Sequence, residues 1–112
     1  MTIQKELRYY AHFSGKVPLV EWLDRFKDRI IRSRIRRRLS RLVEEGHYGD
    51  YKALGSGIYE LRLNFGPGYR IYFAEQNAYI ILLNGGDKSS QAKDVETAKY
   101  YWELFKNRLT LL

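Results

Sequence analysis

Three very short connections in the second half of the chain limit its possible folds more than any other feature. The letters GSG, FGPG and QN separate segments rich in aliphatic and aromatic residues. Connections of this length join only antiparallel neighbours, because a parallel crossover needs a dozen residues or more. We therefore predict strands over Ile58–Asn64, Tyr69–Glu75 and Ala78–Asn84, preceded by a short strand or extended entry from Tyr51.

The remaining residues predict a first strand and three helices. Ile3–Ala11 is read as the strand, and Pro18 suits the first turn of a helix, where its missing N–H leaves no hydrogen bond unmade. Asp28 is suited to cap a second helix, which Gly46 ends. Three apolar stripes recur at helical spacing: Leu19, Trp22, Leu23 and Phe26; Ile31, Ile35, Leu39 and Leu42; and, in a last helix over Ser89–Arg108, Val95, Ala98, Trp102, Phe105 and Leu109.

These elements predict an α+β fold in the order β-α-α-β-β-β-β-α, with a small antiparallel sheet, an N-terminal helical hairpin and a C-terminal helix. The length of 112 residues suits one domain over residues 1–112. The chain has no cysteine, which excludes disulfides and cysteine-bound zinc. No metal-binding pattern is evident, so we expect no cofactor. The longest apolar run, residues 78–83, is far too short to cross a membrane, and we expect a cytoplasmic protein.

Positive charge is concentrated in the first half of the chain. Residues 1–49 contain 12 Lys and Arg against 6 Asp and Glu, whereas residues 50–112 contain 8 against 7. Within the first half, Arg25–Arg41 holds nine basic residues and one acidic residue. Such a surface attracts phosphate backbones, anionic membranes or acidic protein segments. The alternative is a solvated arginine face that only keeps the protein soluble.

Two arginines are predicted to face each other on neighbouring strands. Side chains alternate along a strand, so Arg62 lies on the side opposite Leu61 and Leu63. If the apolar sets of both strands face the core, Arg62 must lie across from Arg70 or diagonal to it. Like charges in this position are unfavourable unless they receive an anion. The alternative is that Glu60 neutralises both.

A second polar cluster follows the last predicted strand, in the letters NGGDKSSQ. Lys88, together with Ser89 or Ser90 and the N–H groups at the helix entry, would bind an anion there. The same letters also describe an ordinary strand-to-helix junction, in which Asp87 or a serine caps the helix.

The segments VEWLD, RIRRRLSRL, GHYGDYKALGSGIYELRLNFGPGYRIYF and GGDKSSQAKDVETAKYYW closely resemble the addiction-module killer proteins, a HigB-like branch of the RelE/ParE toxin superfamily. The resemblance covers residues 17–102. It implies a small antiparallel sheet flanked by helices and a toxin neutralised by a cognate antitoxin. RelE-like and HigB-like members cleave mRNA in the ribosomal A site, whereas ParE-like members inhibit DNA gyrase.

The resemblance directs attention to metal-independent RNA cleavage, in which the 2′-hydroxyl attacks the adjacent phosphorus. Preorganised cations supply much of the catalysis in such sites. Arg62 and Arg70 match the oxygens of a phosphate. Lys88 is a candidate second charge or general base, Tyr72 a candidate stacking group or proton donor, and Gln91 a candidate reader of a base edge.

The basic helix gains a role under the same hypothesis. Arg32, Arg36, Arg37 and Arg38 would bind ribosomal RNA or mRNA through phosphate contacts. An acidic segment of the antitoxin would compete for this face. We expect as partners the ribosome, mRNA and an antitoxin, typically a helix-turn-helix protein from an adjacent gene, and no membrane.

Many ribonucleases use histidine in catalysis, but neither histidine of this chain lies on the predicted arginine patch. His12 ends the first strand and His47 lies in a loop, so neither is assigned a catalytic role. Tyr100 and Tyr101 lie on the last helix, where packing explains at least one of them.

The leading hypothesis is a ribosome-dependent mRNA endonuclease toxin. A gyrase-binding toxin without catalytic groups, or a nucleic-acid-binding domain of decayed toxin ancestry, are the alternatives.

Overall fold

Five strands and three α-helices form the fold in the computed structural model, which describes residues 5–44 and 48–111. A single 3₁₀ turn at Lys88–Ser90 precedes the last helix. The α+β class and the predicted order of elements are confirmed. The elements in chain order are β1 Glu6–Tyr9, α1 Pro18–Asp24, α2 Arg29–Glu44, β2 Tyr51–Gly55, β3 Ile58–Arg62, β4 Arg70–Gln76, β5 Tyr79–Gly86 and α3 Gln91–Leu111.

The strands form a mixed sheet in the order β1-β5-β4-β3-β2. The three short connections give antiparallel pairs, as predicted. The pair β1–β5 is parallel and departs from the all-antiparallel expectation. A long helical crossover separates β1 from the other strands, so no tight turn fixes its direction.

Several predicted boundaries shift by a few residues. The first strand covers residues 6–9 rather than extending to Ala11. Strand β5 runs on to Gly86, which pairs with Arg70. Ile3 and Gly46, the predicted start of β1 and end of α2, lie outside the described residues. The extension of β5 brings its glycine pair beside the start of β4 and so shapes the site described below.

Helices cover both faces of the sheet. The first core contains the buried residues of α1 and α2 together with Leu61, Ile71, Phe73 and Leu82 from the strands. The second core lies under α3, where Ala98 and Trp102 pack with alternate strand residues. The predicted stripes on all three helices therefore face the sheet, although the side chain of Leu109 lies outside the described residues.

Helix-capping residues act as the sequence indicated. Pro18 occupies the first turn of α1. The carboxylate of Asp28 accepts a hydrogen bond of 2.8 Å from the Ile30 N–H at the start of α2. This bond satisfies one of the N–H groups that have no partner within the first turn of α2. No helix in the described part of the chain is long and apolar enough to span a membrane.

Close packing between α1 and β5 depends on the absence of a side chain at Gly85. A Cβ atom at this position would lie 2.5 Å from Cε3 of Trp22. We expect Gly85→Ala to lower the free energy of unfolding by about 2 kcal/mol, because the ring or the strand must move. Urea denaturation monitored by fluorescence measures this change.

The background variant Trp22→Leu supplies the control. Gly85→Ala should be much less destabilising in this background, since the obstructing ring is gone. Strictly additive effects in the double variant would contradict the contact.

Candidate functional site

Arg62 and Arg70 lie directly opposite each other on β3 and β4, as the sequence predicted. The carboxylate of Glu60 lies between them. Arg62 Nε donates to Glu60 Oε1 at 3.0 Å, and Arg70 Nε lies 3.5 Å from the same oxygen. The alternative raised from sequence, neutralisation by Glu60, is therefore present in the structure. We call Glu60, Arg62, Arg70 and Gln91 the arginine cluster.

The two arginines differ in their access to solvent. The side chain of Arg62 is 39% exposed and that of Arg70 only 12%. Arg70 also donates from Nη1 to the carbonyl of Gly68 at 2.7 Å, which fixes its guanidinium under the turn. Arg62 forms no further side-chain hydrogen bond among the described residues, so its two Nη groups are available to a ligand. Arg62 is the arginine that can reach a ligand.

Glu60 is completely buried, yet it keeps its charge. Burial raises the pKa of its carboxyl. Hydrogen bonds from Gln91 and Arg62, together with the charge of Arg70, outweigh that effect and hold the pKa below its ordinary value. Sequence reasoning treated Glu60 only as a neutralising group. Its position two residues before Arg62 on the same strand face was the signal that it belongs to the cluster.

Gln91 connects the cluster to α3. Its Nε2 donates to Glu60 Oε2 at 2.9 Å, so both carboxylate oxygens have a partner. This contact makes Gln91 a positioning residue for Glu60, in contrast to the predicted reading of a base edge. The first residue of α3 thereby fixes the helix over the sheet.

Tyr72 lies on the same sheet face but is not accessible. Its side chain is fully buried between Glu60 and Asn84, its neighbours across the strands. Stacking of Tyr72 on an RNA base, one of its two predicted roles, is therefore wrong for this conformation. Burial, followed by the charges of Glu60 and Asp94, raises the pKa of the hydroxyl well above its ordinary value. Such a hydroxyl is a poor proton donor.

Lys88 lies beside the cluster, on the turn before α3. Its backbone N–H bonds to the carbonyl of Pro67 at 3.4 Å, which holds this turn against the loop that ends at Arg70. A Cβ at Gly68, which has φ +75°, would lie 3.2 Å from the Lys88 Cβ, so the two loops touch. The ammonium group is exposed and has no ion pair in the described chain.

The predicted anion site at the helix entry is occupied by the protein itself. Asp87 accepts a hydrogen bond of 2.8 Å from the Ser89 N–H and forms a capping box with Ser90. The Ser89 hydroxyl and N–H lower the pKa of Asp87. These N–H groups therefore serve an ordinary cap, and only Lys88 presents a positive charge here.

The arginines of α2 divide between two directions. Arg38 donates from Nη2 to the carbonyl of Tyr48. Arg37 and Arg38 line a groove, whereas the predicted RNA ligands Arg32 and Arg36 lie outside its lining. Arg34 and Arg41 were missed, although spacings of three and four residues place them with Arg37 and Arg38 on one helix face. The groove is lined by Arg34, Arg37, Arg38, Arg41, Asn64 and Phe65.

His12 belongs to a separate aromatic cluster. Its Nδ1 lies 2.9 Å from the Tyr10 hydroxyl, and its ring contacts Phe13, Tyr100 and Tyr101. Tyr101 stacks on Tyr10 with ring centroids 4.7 Å apart, which is the packing role expected for one of the tyrosines. His47 lies outside the described residues. No group of three potential metal ligands occurs in the part of the chain that the structure describes.

The central position of Glu60 predicts a large effect on stability. We expect Glu60→Gln to lower the free energy of unfolding by about 3 kcal/mol at pH 7, because it removes the negative charge between two guanidinium groups. The folded pKa lies below 4.5, so this advantage of the wild type is complete at pH 7. It should shrink as the pH falls from 4.5 through the folded pKa.

Denaturation with urea over a series of pH values tests this expectation. Glu96→Gln provides the matched control, since Glu96 is exposed on α3 and has no ion pair among described residues. Equal losses in the two variants, or a gap that does not narrow in acid, would contradict the role of Glu60.

Comparison with known proteins places the chain in a family. The family described as "Phage derived protein Gp49-like (DUF891)" matches residues 21–108, which include the arginine cluster, Lys88 and the whole of α2. A Haemophilus influenzae protein, described as "Uncharacterized protein", is 46% identical over 79 residues, covering 70% of this chain and 79% of the relative. No solved structure matches the chain.

The family match extends over most of the chain and contains all but the first residue of the segments on which the toxin resemblance rests. That resemblance is thereby confirmed at the level of the family. The chain belongs to the Phage derived protein Gp49-like family, a toxin-like family of the type II toxin–antitoxin systems.

Proposed function

We propose that this protein is a HigB-like toxin that cleaves mRNA on the ribosome without a metal ion. The observation that carries the proposal is the pairing of Arg62 with Arg70 on adjacent strands, with the side chain of Arg62 exposed and Lys88 on the turn beside Arg70. The family is associated with toxin endoribonuclease activity, which supports the same reaction class.

The proposed chemistry is attack of the 2′-hydroxyl on the adjacent phosphorus, with departure of the 5′-oxygen. Arg62 binds the nonbridging phosphate oxygens through its Nη groups, since Nε is held by Glu60. Lys88 adds a second positive charge from the opposite loop. Arg70 acts as a positioning residue, because its ion pair with Glu60 and its hydrogen bond to the Gly68 carbonyl fix the cluster. Preorganisation of this kind stabilises the charge that develops on the phosphate.

Two kinds of partner accompany this function. The family implies a cognate antitoxin. We further propose the ribosome and mRNA as partners, with the basic face of α2 contacting RNA phosphates. Arg37 is exposed on this face and forms no ion pair with any residue that the structure describes.

Substitution of Arg62 tests the proposed cleavage. We expect Arg62→Ala to reduce the cleavage rate by about 100-fold or more, because one preorganised donor to the reacting phosphate is lost. A reconstituted translation reaction with a defined mRNA, followed by mapping of the cleaved ends, measures the rate.

Lys99→Ala is the matched control, because Lys99 is an exposed cation on α3 away from the cluster. It should cleave like the wild type. Intact mRNA in the presence of wild-type protein would overturn the proposed function, and equal loss in both variants would remove the special role of Arg62.

Tyr72→Phe separates catalysis from packing. The hydroxyl is buried and its pKa is raised, so we expect the variant to retain cleavage within about threefold. A tyrosine acting as general acid would instead lose roughly 100-fold. The same translation reaction measures the rate, and the thermal unfolding midpoint shows whether the core remains intact.

One observation favours a second function, binding of DNA gyrase without cleavage. Glu60 already pairs with both arginines, as expected if the cluster serves only to hold the fold. A supercoiling assay with purified gyrase, run beside the translation assay, distinguishes the two. Inhibited supercoiling with intact mRNA would replace the proposed nuclease by the gyrase-binding toxin.

A further inference from the structure

The groove beside α2 has a chemically uniform lining. Two adjoining depressions share Arg38, Arg41 and Asn64. One continues to Arg34, Arg37 and Phe65, and the other ends at Gly49 and Asp50. We call this continuous surface the α2 groove. Guanidinium groups dominate it, and Phe65 is its only aromatic residue.

Some of these guanidinium groups are held in place by the fold. The Arg34 guanidinium carbon lies 4.0 Å from the centroid of the Phe65 ring, so the ring supports it from below. Arg38 is held by its bond to the Tyr48 carbonyl. Side chains that are already ordered lose less entropy when they bind an anion.

Basic residues outnumber acidic residues in the lining of the α2 groove. Arg34 and Arg37 have no ion pair with any described residue. Asp50 is the one acidic residue in the lining and lies at the end of the groove. Charges with this arrangement favour a polyanion.

The α2 groove ends close to the strand that carries Arg62, although the Arg62 side chain lies on the sheet face under α3 and α2 covers the opposite face. The Asp50 carbonyl accepts a hydrogen bond of 2.8 Å from the Arg62 N–H, and Asn64 follows Arg62 by two residues. The charge of Asp50 acts on the Arg62 guanidinium, so the Asp50 end of the groove lies near the proposed position of the scissile phosphate. Arg34 and Arg41 are seven residues apart, or about 10 Å along α2. Such a length accommodates about three phosphates at roughly 3.4 Å each along a stacked strand.

We propose that the α2 groove binds backbone phosphates of the same single-stranded RNA whose scissile phosphate lies at Arg62. This inference rests on the proposed function and adds the path of its substrate. An acidic protein segment fits less well, because protein partners usually insert apolar or aromatic anchors into pockets. Here the only aromatic ring is already covered by Arg34.

Two neighbouring arginines provide a matched test. Arg37 lines the groove, whereas Arg36 is equally exposed on the same helix but lies outside it. The probe is a fluorescein-labelled single strand of 2′-O-methyl RNA, which has no attacking hydroxyl and so reports binding alone. Fluorescence anisotropy over a range of salt concentrations gives the affinity.

We expect Arg37→Ala to weaken binding about tenfold, as for the loss of one charge-assisted hydrogen bond. For this variant, the plot of log affinity against log salt concentration should be shallower by about 0.7, because one fewer phosphate is neutralised. Arg36→Ala should change the affinity less than about twofold, since a distant exposed charge is screened. Asp50→Asn should tighten binding, because it removes the one negative charge in the lining.

Equal losses in the Arg36 and Arg37 variants would overturn the proposal, since they would indicate a diffuse arginine face. If Arg37→Ala weakened binding to a glutamate-rich peptide and left RNA binding unchanged, this result would also overturn the proposal and assign the groove to a protein partner. The outcome is separable from that of the cleavage assay. If the protein cleaves mRNA but Arg36→Ala and Arg37→Ala weaken RNA binding equally, only the proposed role of the groove is refuted. If Arg37→Ala alone weakens RNA binding but the wild type does not cleave mRNA, only the proposed nuclease activity is refuted.

Discussion

A single buried carboxylate organises the polar side of this fold. Glu60 lies in the middle of the sheet without solvent contact, where an unpaired charge would be strongly unfavourable. Two arginines and one glutamine stabilise the charged carboxylate, and each comes from a different element: β3, β4 and α3. The same contacts that keep Glu60 charged therefore fix the strand register, the start of α3 and the direction of Arg62.

The course of the chain was largely predictable because local signals decided it. Short turns set three antiparallel pairs, Pro18 and Asp28 set the helix starts, and apolar spacing identified the buried helix faces. The prediction that Arg62 and Arg70 lie opposite each other followed from the alternation of side chains along the two strands, and the structure has this pairing. These features depend on residues that are close in sequence or joined by a tight turn.

Other features depend on contacts between distant residues, and the sequence did not disclose them. The parallel direction of β1 is set by pairing with β5 rather than by a turn. Alternation placed Tyr72 on the polar face, but α3 covers that face and buries the ring. Gln91 looked available for RNA until its amide was found on Glu60. The arginine count of α2 suggested one basic face, whereas its groove is completed by the loop residues Asn64 and Phe65.

The parallel pair between β1 and β5 also constrains how the protein is made. Glu6 pairs with Tyr79, so 73 further residues must be added after Glu6 before its partner is in the chain. Contacts of such long range form slowly and late. The helix that carries Gln91 is later still, so the guanidinium pair acquires its final geometry only after α3 has been synthesised. A growing chain thus lacks its finished cationic centre until that helix has packed on the sheet.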